Sequence, residues 1–440
     1  MEKLNEVLHE LGISKVKLAK YLGVSRQMIY NYLDLDDLNK WPKDKKVLLF
    51  NLLGIKSAEE LDNIKVDTDY IMDVEMRINN LFEKANAIGG NVLIADKEGI
   101  KEQFTYGFQS KEKNIPTSKD TIYRIASISK VVVATTVMTL VDDGLVDIKE
   151  DISKYLGYQV RNPYYPEDII TIEMLMTQTS SICDGEDETL GYDGVNGPRF
   201  FVDLQRLLTD PTYEYYTTKT YLKHKPGSFF CYSNFGCGIL ACIVEKVTGK
   251  YFTDYVRENL LLPMGLDASF RIDDIKNLDK VASLYDEKNG ELELIRDKDK
   301  FLQVVFPRYE LGNNFRGPAG GLFISPIDLA KFMQMLMNYG VYDNKRYLTK
   351  ETVSLMKEVH WQTKHPIGIY KKKGLQLLIL DVDNRRLYGH TGNAYGLRSF
   401  MLFDDNYGYI FMCNGAKYVM ALEDFTSLQE ECLKELLKYE

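Results

Sequence analysis

Arg124-Ile125-Ala126-Ser127-Ile128-Ser129-Lys130, followed by the apolar run Val131 to Leu140, is the stretch on which the reading of this chain turns. It reads as a short strand or turn that feeds a buried helix, with Ser127 at the helix N-terminus and Lys130 one turn later. Residues three apart share a helix face. The Lys130 ammonium is therefore placed near the Ser127 hydroxyl, at a helix end that favours negative charge. Both effects help an alcohol act as a nucleophile. The spacing alone is not specific, because Ser14/Lys17 and Ser110/Lys113 share it. Ser127 differs in opening an apolar helix and in having two further motifs downstream.

The first of these is Tyr232-Ser233-Asn234, set between Lys225-Pro226-Gly227 and an apolar helix expected from about Cys237 to Val247. The flanking Pro-Gly and Ser-Asn-Phe-Gly are turn chemistry around a constrained stretch. Tyr232 and Asn234 alternate, which points both at one cleft. The second is His390-Thr391-Gly392-Asn393, a Gly-bounded strand edge, with Arg398 on the strand that follows.

Strands are expected around Asn91–Gln109 and again over 375–381, 388–393, 397–403 and 407–414, with helices between and an amphipathic helix over 421–438 closing the chain. Strands at both ends and helices in the middle argue for an α+β fold, an antiparallel sheet flanked by helices with a helical subdomain. The segment Cys183–Phe230, rich in Gly, Asp and aromatics, is of the kind that borders active sites.

Upstream, residues 1–62 form a separate all-α unit. Leu18, Ala19 and Leu22 make one apolar stripe, Gly23 breaks the helix, Ser25 caps the next, and Ile29 and Leu33 continue the face. From Ser14 to Leu33 the charged residues are Lys15, Lys17, Lys20 and Arg26, with no acid among them. That bias suits phosphate contacts. Lys17, Ser25, Arg26, Gln27, Tyr30 and Asn31 are the candidate DNA-binding residues, with Arg26 and Gln27 placed to read purine edges. A small bundle used only for oligomerisation is the alternative. Residues 63–69 read as a linker and 70–440 as the second domain, its first helix expected over 70–88.

Two resemblances follow from these residues. Leu18-Ala19-x-x-Leu22-Gly23-Val24-Ser25-Arg26-Gln27-x-Ile29 resembles the lambda repressor/Cro-like helix-turn-helix family. Ser127-x-x-Lys130, Tyr232-x-Asn234 and His390-Thr391-Gly392 stand in the order and spacing of the serine β-lactamase/penicillin-binding-protein superfamily. They look most like its class C β-lactamase, DD-peptidase and esterase branch. Pro263-Met264-Gly265-Leu266 and Pro318-Ala319-Gly320-Gly321-Leu322 agree, and the likeness covers roughly residues 70 to 438. It implies a β-lactamase/transpeptidase-like fold and acyl-enzyme chemistry. Ser127 is then the nucleophile, and Lys130 is its base or electrostatic partner. Tyr232, a phenol whose pKa a neighbouring ammonium depresses, shuttles the proton. Asn234, His390, Thr391, Gly392 and Asn393 bind substrate, and Arg398, near the same strand edge, is read either as a binder of a substrate carboxylate or as a surface arginine. The backbone N–H groups of Ser127 and Asn393 form the oxyanion hole. Two departures stand out: His390 takes the place of a lysine, and Gln178-Thr179-Ser180-Ser181 stands where relatives commonly carry His-x-Ser-Gly.

Composition narrows the setting. The 440 residues carry a net charge of −9, so the chain as a whole is no polyanion binder. The six cysteines are scattered, without a Cys-x-x-Cys pair, and read as reduced thiols. No signal peptide opens the sequence, and no apolar run nears the roughly 20 residues that span a bilayer. A cytoplasmic setting is expected, without a membrane partner. His9, His224, His360 and His365 show no metal spacing, and neither metal nor cofactor is expected. The partners expected are a small acyl substrate (ester, amide, peptide or β-lactam-like), double-stranded DNA, and a second copy in a homodimer. A transcriptional regulator whose hydrolase-like domain only senses a ligand is the second reading.

Overall fold

The computed structural model describes the chain except for residues 1–3, 5, 6, 9–12, 14, 34, 36, 64–73, 186, 196–200, 383 and 440, together with the side chains of 15–17, 20, 26, 59, 62 and 63. The chain divides into two compact units, Met1–Asn80 and Leu81–Glu440. Most of the expected linker, 63–69, lies outside the described residues.

In the first unit, helices α1 (Lys15–Leu22), α2 (Arg26–Leu33) and α3 (Lys43–Leu53) surround a core that includes Leu18, Ala19, Leu22, Ile29, Leu33, Trp41 and Leu49. Gly23 separates α1 from α2 at φ +64°, a conformation that costs a glycine least. Ser25 Oγ accepts the Met28 amide at 3.3 Å and so caps α2. Helix α4 (Val74–Lys84) is shorter than the expected 70–88, and residues 70–73 lie outside the described ones.

The second unit is built on one antiparallel sheet. Its strands are β1 (Gly89–Asp96), β2 (Ile100–Ser110), β3 (Ile115–Pro116), β4 (Trp361–Ile367), β5 (Tyr370–Lys373), β6 (Leu378–Val382), β7 (Arg385–Ala394), β8 (Leu397–Phe403) and β9 (Tyr407–Cys413). They lie in the order β4-β5-β6-β7-β8-β9-β1-β2-β3. The first three strands thus join the last six edge to edge through the β1–β9 pair. Helix α5 (Ser129–Asp142) is buried on nearly every face. Its all-round apolar sequence requires such a position. It packs on α6 (Asn234–Thr248) and against β7, while α7 (Pro326–Met337) packs on β1 and β9. The closing helix α8 (Ser427–Leu436) begins later than the sequence pattern suggests, because Met420–Leu422 pairs with Phe425–Thr426 as a small hairpin first. Among the described residues no helix is long and apolar enough to cross a membrane.

Candidate active site

Ser127 lies in a single 3₁₀ turn, Ala126–Ile128, that runs directly into α5. The turn is pinned from several sides. Ala126 takes φ +51°. The Ser129 hydroxyl donates to Ala126 O at 2.6 Å and accepts from Leu322 N at 3.1 Å. Strand β7 closes over the turn at Gly392. A Cβ built there would stand 2.3 Å from Ser399 Oγ and 2.4 Å from Ile125 O, so only glycine permits the approach.

Lys130 is fully buried, and its Nζ donates to three acceptors: Ser127 Oγ at 3.0 Å, Asn234 Oδ1 at 2.8 Å and Ala319 O at 2.9 Å. Burial pulls its pKa down to about 8. The same ammonium lies 4.9 Å from the centre of the Tyr232 ring. The expected depression of the Tyr232 pKa is not found. Burial pushes the phenol up instead, and the neighbouring Ser127 hydroxyl opposes that rise only in part. Desolvation of the phenolate outweighs the nearby cation, so Tyr232 is a neutral donor and acceptor at ordinary pH.

Asn234 opens α6, and its orientation comes from a residue that sequence reading missed. Asp184 accepts from Asn234 N at 3.1 Å, Phe235 N at 2.8 Å, Ser233 Oγ at 3.0 Å and Asn234 Nδ2 at 2.8 Å. It lies within Cys183–Phe230, the segment expected to border the site. Gln178 has no place among the sequence-predicted site residues either. It adopts φ +65°, and its side-chain oxygen accepts Ser233 N at 2.7 Å while its backbone oxygen accepts Cys231 N at 2.8 Å. The departure from His-x-Ser-Gly therefore leaves a segment that holds the Tyr232 turn in place.

His390 is fully buried on β7. Its Nδ1 lies 2.6 Å from Thr391 O, which can only accept, so Nδ1 carries the proton. Burial, then the charges of Lys373 and Lys130, hold its pKa well below the usual histidine value. Nε2 is a bare acceptor with no hydrogen-bond partner among the described residues. Lys373, on β5, is a third unforeseen residue. It is fully buried, its Nζ has no hydrogen-bond partner among the described residues, and burial lowers its pKa to about 7.

Arg398 is not brought to the site. Side chains alternate along a strand, and Ser399 is the residue on β8 that turns its hydroxyl to Ile125 O, at 3.3 Å. Arg398 faces the other way, with its guanidinium 5.0 Å from the Tyr418 ring centre. Asn393, in register with Arg398, still lines a cavity of about 360 Å³ together with Ser127, Asn234 and Tyr192. In the first unit Ser25, Gln27 and Asn31 are exposed and Tyr30 is half-buried, and Gln27 Nε2 reaches Asn31 Oδ1 at 3.4 Å. The side chains of Lys17 and Arg26 lie outside the described ones. None of the six cysteines is in a disulfide.

A family model described as Beta-lactamase matches residues 77–431. The chain is 23% identical to Protein flp of Staphylococcus aureus (strain MRSA252) over 83% of this chain and 67% of that protein. Among solved structures, the octameric penicillin-binding protein homologue from Pyrococcus abyssi matches with a TM-score of 0.64 at 22% identity, covering 83% of this chain and 78% of that one. D-amino acid amidase from Ochrobactrum anthropi SV3, complexed with D-phenylalanine, matches with a TM-score of 0.64 at 19% identity, covering 83% and 98%. At these identities the solved structures establish a common fold.

Proposed function

The chain belongs to the Beta-lactamase family, and from that premise we propose that it is a serine hydrolase acting by acyl transfer through Ser127 on a small ester or amide. The observation that carries this reading is the 3.0 Å contact between Lys130 Nζ and Ser127 Oγ at the edge of the cavity. Neutral Lys130 takes the Ser127 proton as Oγ bonds to the substrate carbonyl carbon. The backbone N–H groups of Ser127 and Asn393 face the oxygen that gains charge. Tyr232, kept neutral by burial, gives its phenolic proton to the leaving group as that group's bond to carbon breaks and takes up in exchange the proton that Lys130 received from Ser127. Water then releases the acyl group by the reverse sequence. His390, neutral where a lysine is usual, leaves less fixed positive charge on that side of the site.

Intact mass after exposure to a fluorophosphonate, an activated ester and a penicillin tests the nucleophile. One adduct per chain that is absent from Ser127→Ala is expected. A folded protein that takes up none of the three probes would shift the reading to a ligand sensor without turnover.

For the first unit we infer DNA binding through α2 as a homodimer, in a cytoplasmic protein. Exposed Gln27 and Asn31 on α2, and first turns of α1 and α2 free of acidic residues, support it. Arg26→Ala combined with Gln27→Ala should abolish retention of duplexes selected from random sequence. Unchanged retention would leave the unit an oligomerisation module.

A further inference from the structure

The cavity in front of Ser127 carries more positive charge than its own acids neutralise. Five arginines line it, and Glu245 is the one acid among its lining residues. Glu245 is buried and occupied, accepting from Phe252 N at 3.1 Å, Gly312 N at 2.7 Å and Asn314 Nδ2 at 3.0 Å. Two of the arginines are paired just outside the cavity, Arg271 with Asp273 and Arg308 with Asp254. Arg316 donates to Val195 O at 3.1 Å. Arg124 and Arg296 remain. Neither has a carboxylate partner among the described residues, and both line the cavity wall while keeping part of their surface exposed.

Tyr395 brings them together. It sits at the β7–β8 turn, and both guanidinium carbons lie 5.1 Å from its ring centre. The two cations are thus within about 10 Å of each other, about one screening length at moderate salt. They arrive from unrelated places. Arg124 stands three residues before Ser127, and Arg296 ends a separate hairpin, Leu284–Lys288 with Glu291–Arg296. Like charges held together repel, and the Arg296 charge adds to burial in pulling Arg124's pKa down. An anion between them relieves that repulsion, and guanidinium groups bind carboxylates with paired N–H donors.

We propose that Arg124 and Arg296, braced on Tyr395, form a carboxylate-binding subsite, so that the preferred substrate carries an acidic group on its acyl portion. Ser127 and Asn393 line the same cavity as both arginines, so one substrate can span the nucleophile and the subsite, and the acyl portion is the part the proposal assigns to it. This rests on the Ser127 reading above and deepens it.

The test compares the 4-nitrophenyl hemiester of glutaric acid with 4-nitrophenyl pentanoate, which is similar in length and uncharged. The wild-type protein should favour the hemiester by about tenfold or more in kcat/KM, as charge-assisted pairing predicts. That ratio should fall towards one in Arg124→Gln and in Arg296→Gln. It should also fall in the wild type as salt rises to about 0.5 M, an arm that needs no variant to fold. A wild-type ratio near one, or a ratio indifferent to both variants and to salt, overturns the subsite. If neither ester reacts at Ser127, the Ser127 reading fails by itself. Calorimetric binding of glutarate against glutaramide then decides the subsite. Tighter binding of glutarate, lost in Arg296→Gln, keeps the subsite, and equal binding removes it.

Discussion

Asp184 accepts two hydrogen bonds from Asn234, one from its backbone amide at 3.1 Å and one from its side-chain nitrogen at 2.8 Å. The second fixes which end of the Asn234 amide faces Lys130. With Nδ2 committed to a carboxylate, only Oδ1 is left for the lysine. Asn234 Oδ1 and Ala319 O are both pure acceptors, so a neutral Lys130 gives them its two N–H bonds. Its lone pair is then left for the third neighbour, Ser127, the only one with a proton to give. Under the proposed mechanism the carboxylate would thus set the direction of proton transfer without touching the substrate.

Asp184→Ala should therefore cost both stability and rate. The first turn of α6 loses an acceptor for two amides, a change worth about 1–3 kcal/mol in urea denaturation. Asn234 becomes free to turn Nδ2 toward Lys130, and kcat/KM should drop by about tenfold or more, each factor of ten being about 1.4 kcal/mol of barrier. A variant that loses stability but keeps the wild-type kcat/KM would show that Asp184 only caps the helix.

The pH dependence of acylation separates the two roles open to Lys130. Its pKa lies at about 8. If the neutral amine takes the Ser127 proton, kcat/KM rises with pH and levels off above about 8. If the ammonium acts by its charge, kcat/KM falls through the same range. The rise is expected, because the hydrogen-bond arrangement leaves the neutral amine a lone pair aimed at Ser127. A falling profile would assign the base role elsewhere.

Gly392→Ala tests the approach of β7 to the Ser127 turn. The added methyl meets Ser399 Oγ at 2.3 Å and Ile125 O at 2.4 Å. The strand must retreat, at a cost of about 1–3 kcal/mol in stability and with loss of acylation, because the Asn393 amide moves away from Ser127. Adding Ser399→Ala removes one clash and leaves the backbone oxygen of Ile125. The double variant should remain impaired, and full recovery would mean that the clash with Ser399 alone mattered.

The three motifs were legible because each is local: Ser127 and Lys130 share one helical turn, Tyr232 and Asn234 one tight turn, and His390 to Asn393 one strand. Six strands of the sheet, β1, β2 and β6 to β9, were legible as short apolar or Gly-bounded runs, whereas β3, β4 and β5 were not expected. Asp184, Arg296 and Lys373 were not, since each reaches the site from a distant part of the chain and carries no pattern of its own. Arg398 misled because a strand residue's face depends on the phase of alternation, which Ser399 settles only through its bond to Ile125 O. The Tyr232 shift had the wrong sign because the sequence shows the neighbouring lysine but not the depth of burial.

Lys373 yields the last prediction. Its Nζ is fully buried without a hydrogen-bond partner among the described residues, and its pKa falls from 10.5 to about 7. Below pH 7 the folded chain holds a buried ammonium and bears its full desolvation cost. Between about 7 and 10.5 the unfolded chain binds this proton and the folded one does not, so this group's contribution to stability rises with pH. Each pKa unit corresponds to about 1.4 kcal/mol. Lys373→Met keeps the length of the side chain and removes the charge. It should be more stable than the wild type by a few kcal/mol at pH 6, as replacement of buried charge by apolar volume often is. The gap should narrow as pH rises from 7 towards 10.5. Urea denaturation of both proteins at several pH values measures it. A gap that does not change with pH would mean that Lys373 is not held as an unpaired cation, and a less stable methionine variant at pH 6 would mean that its ammonium has a partner.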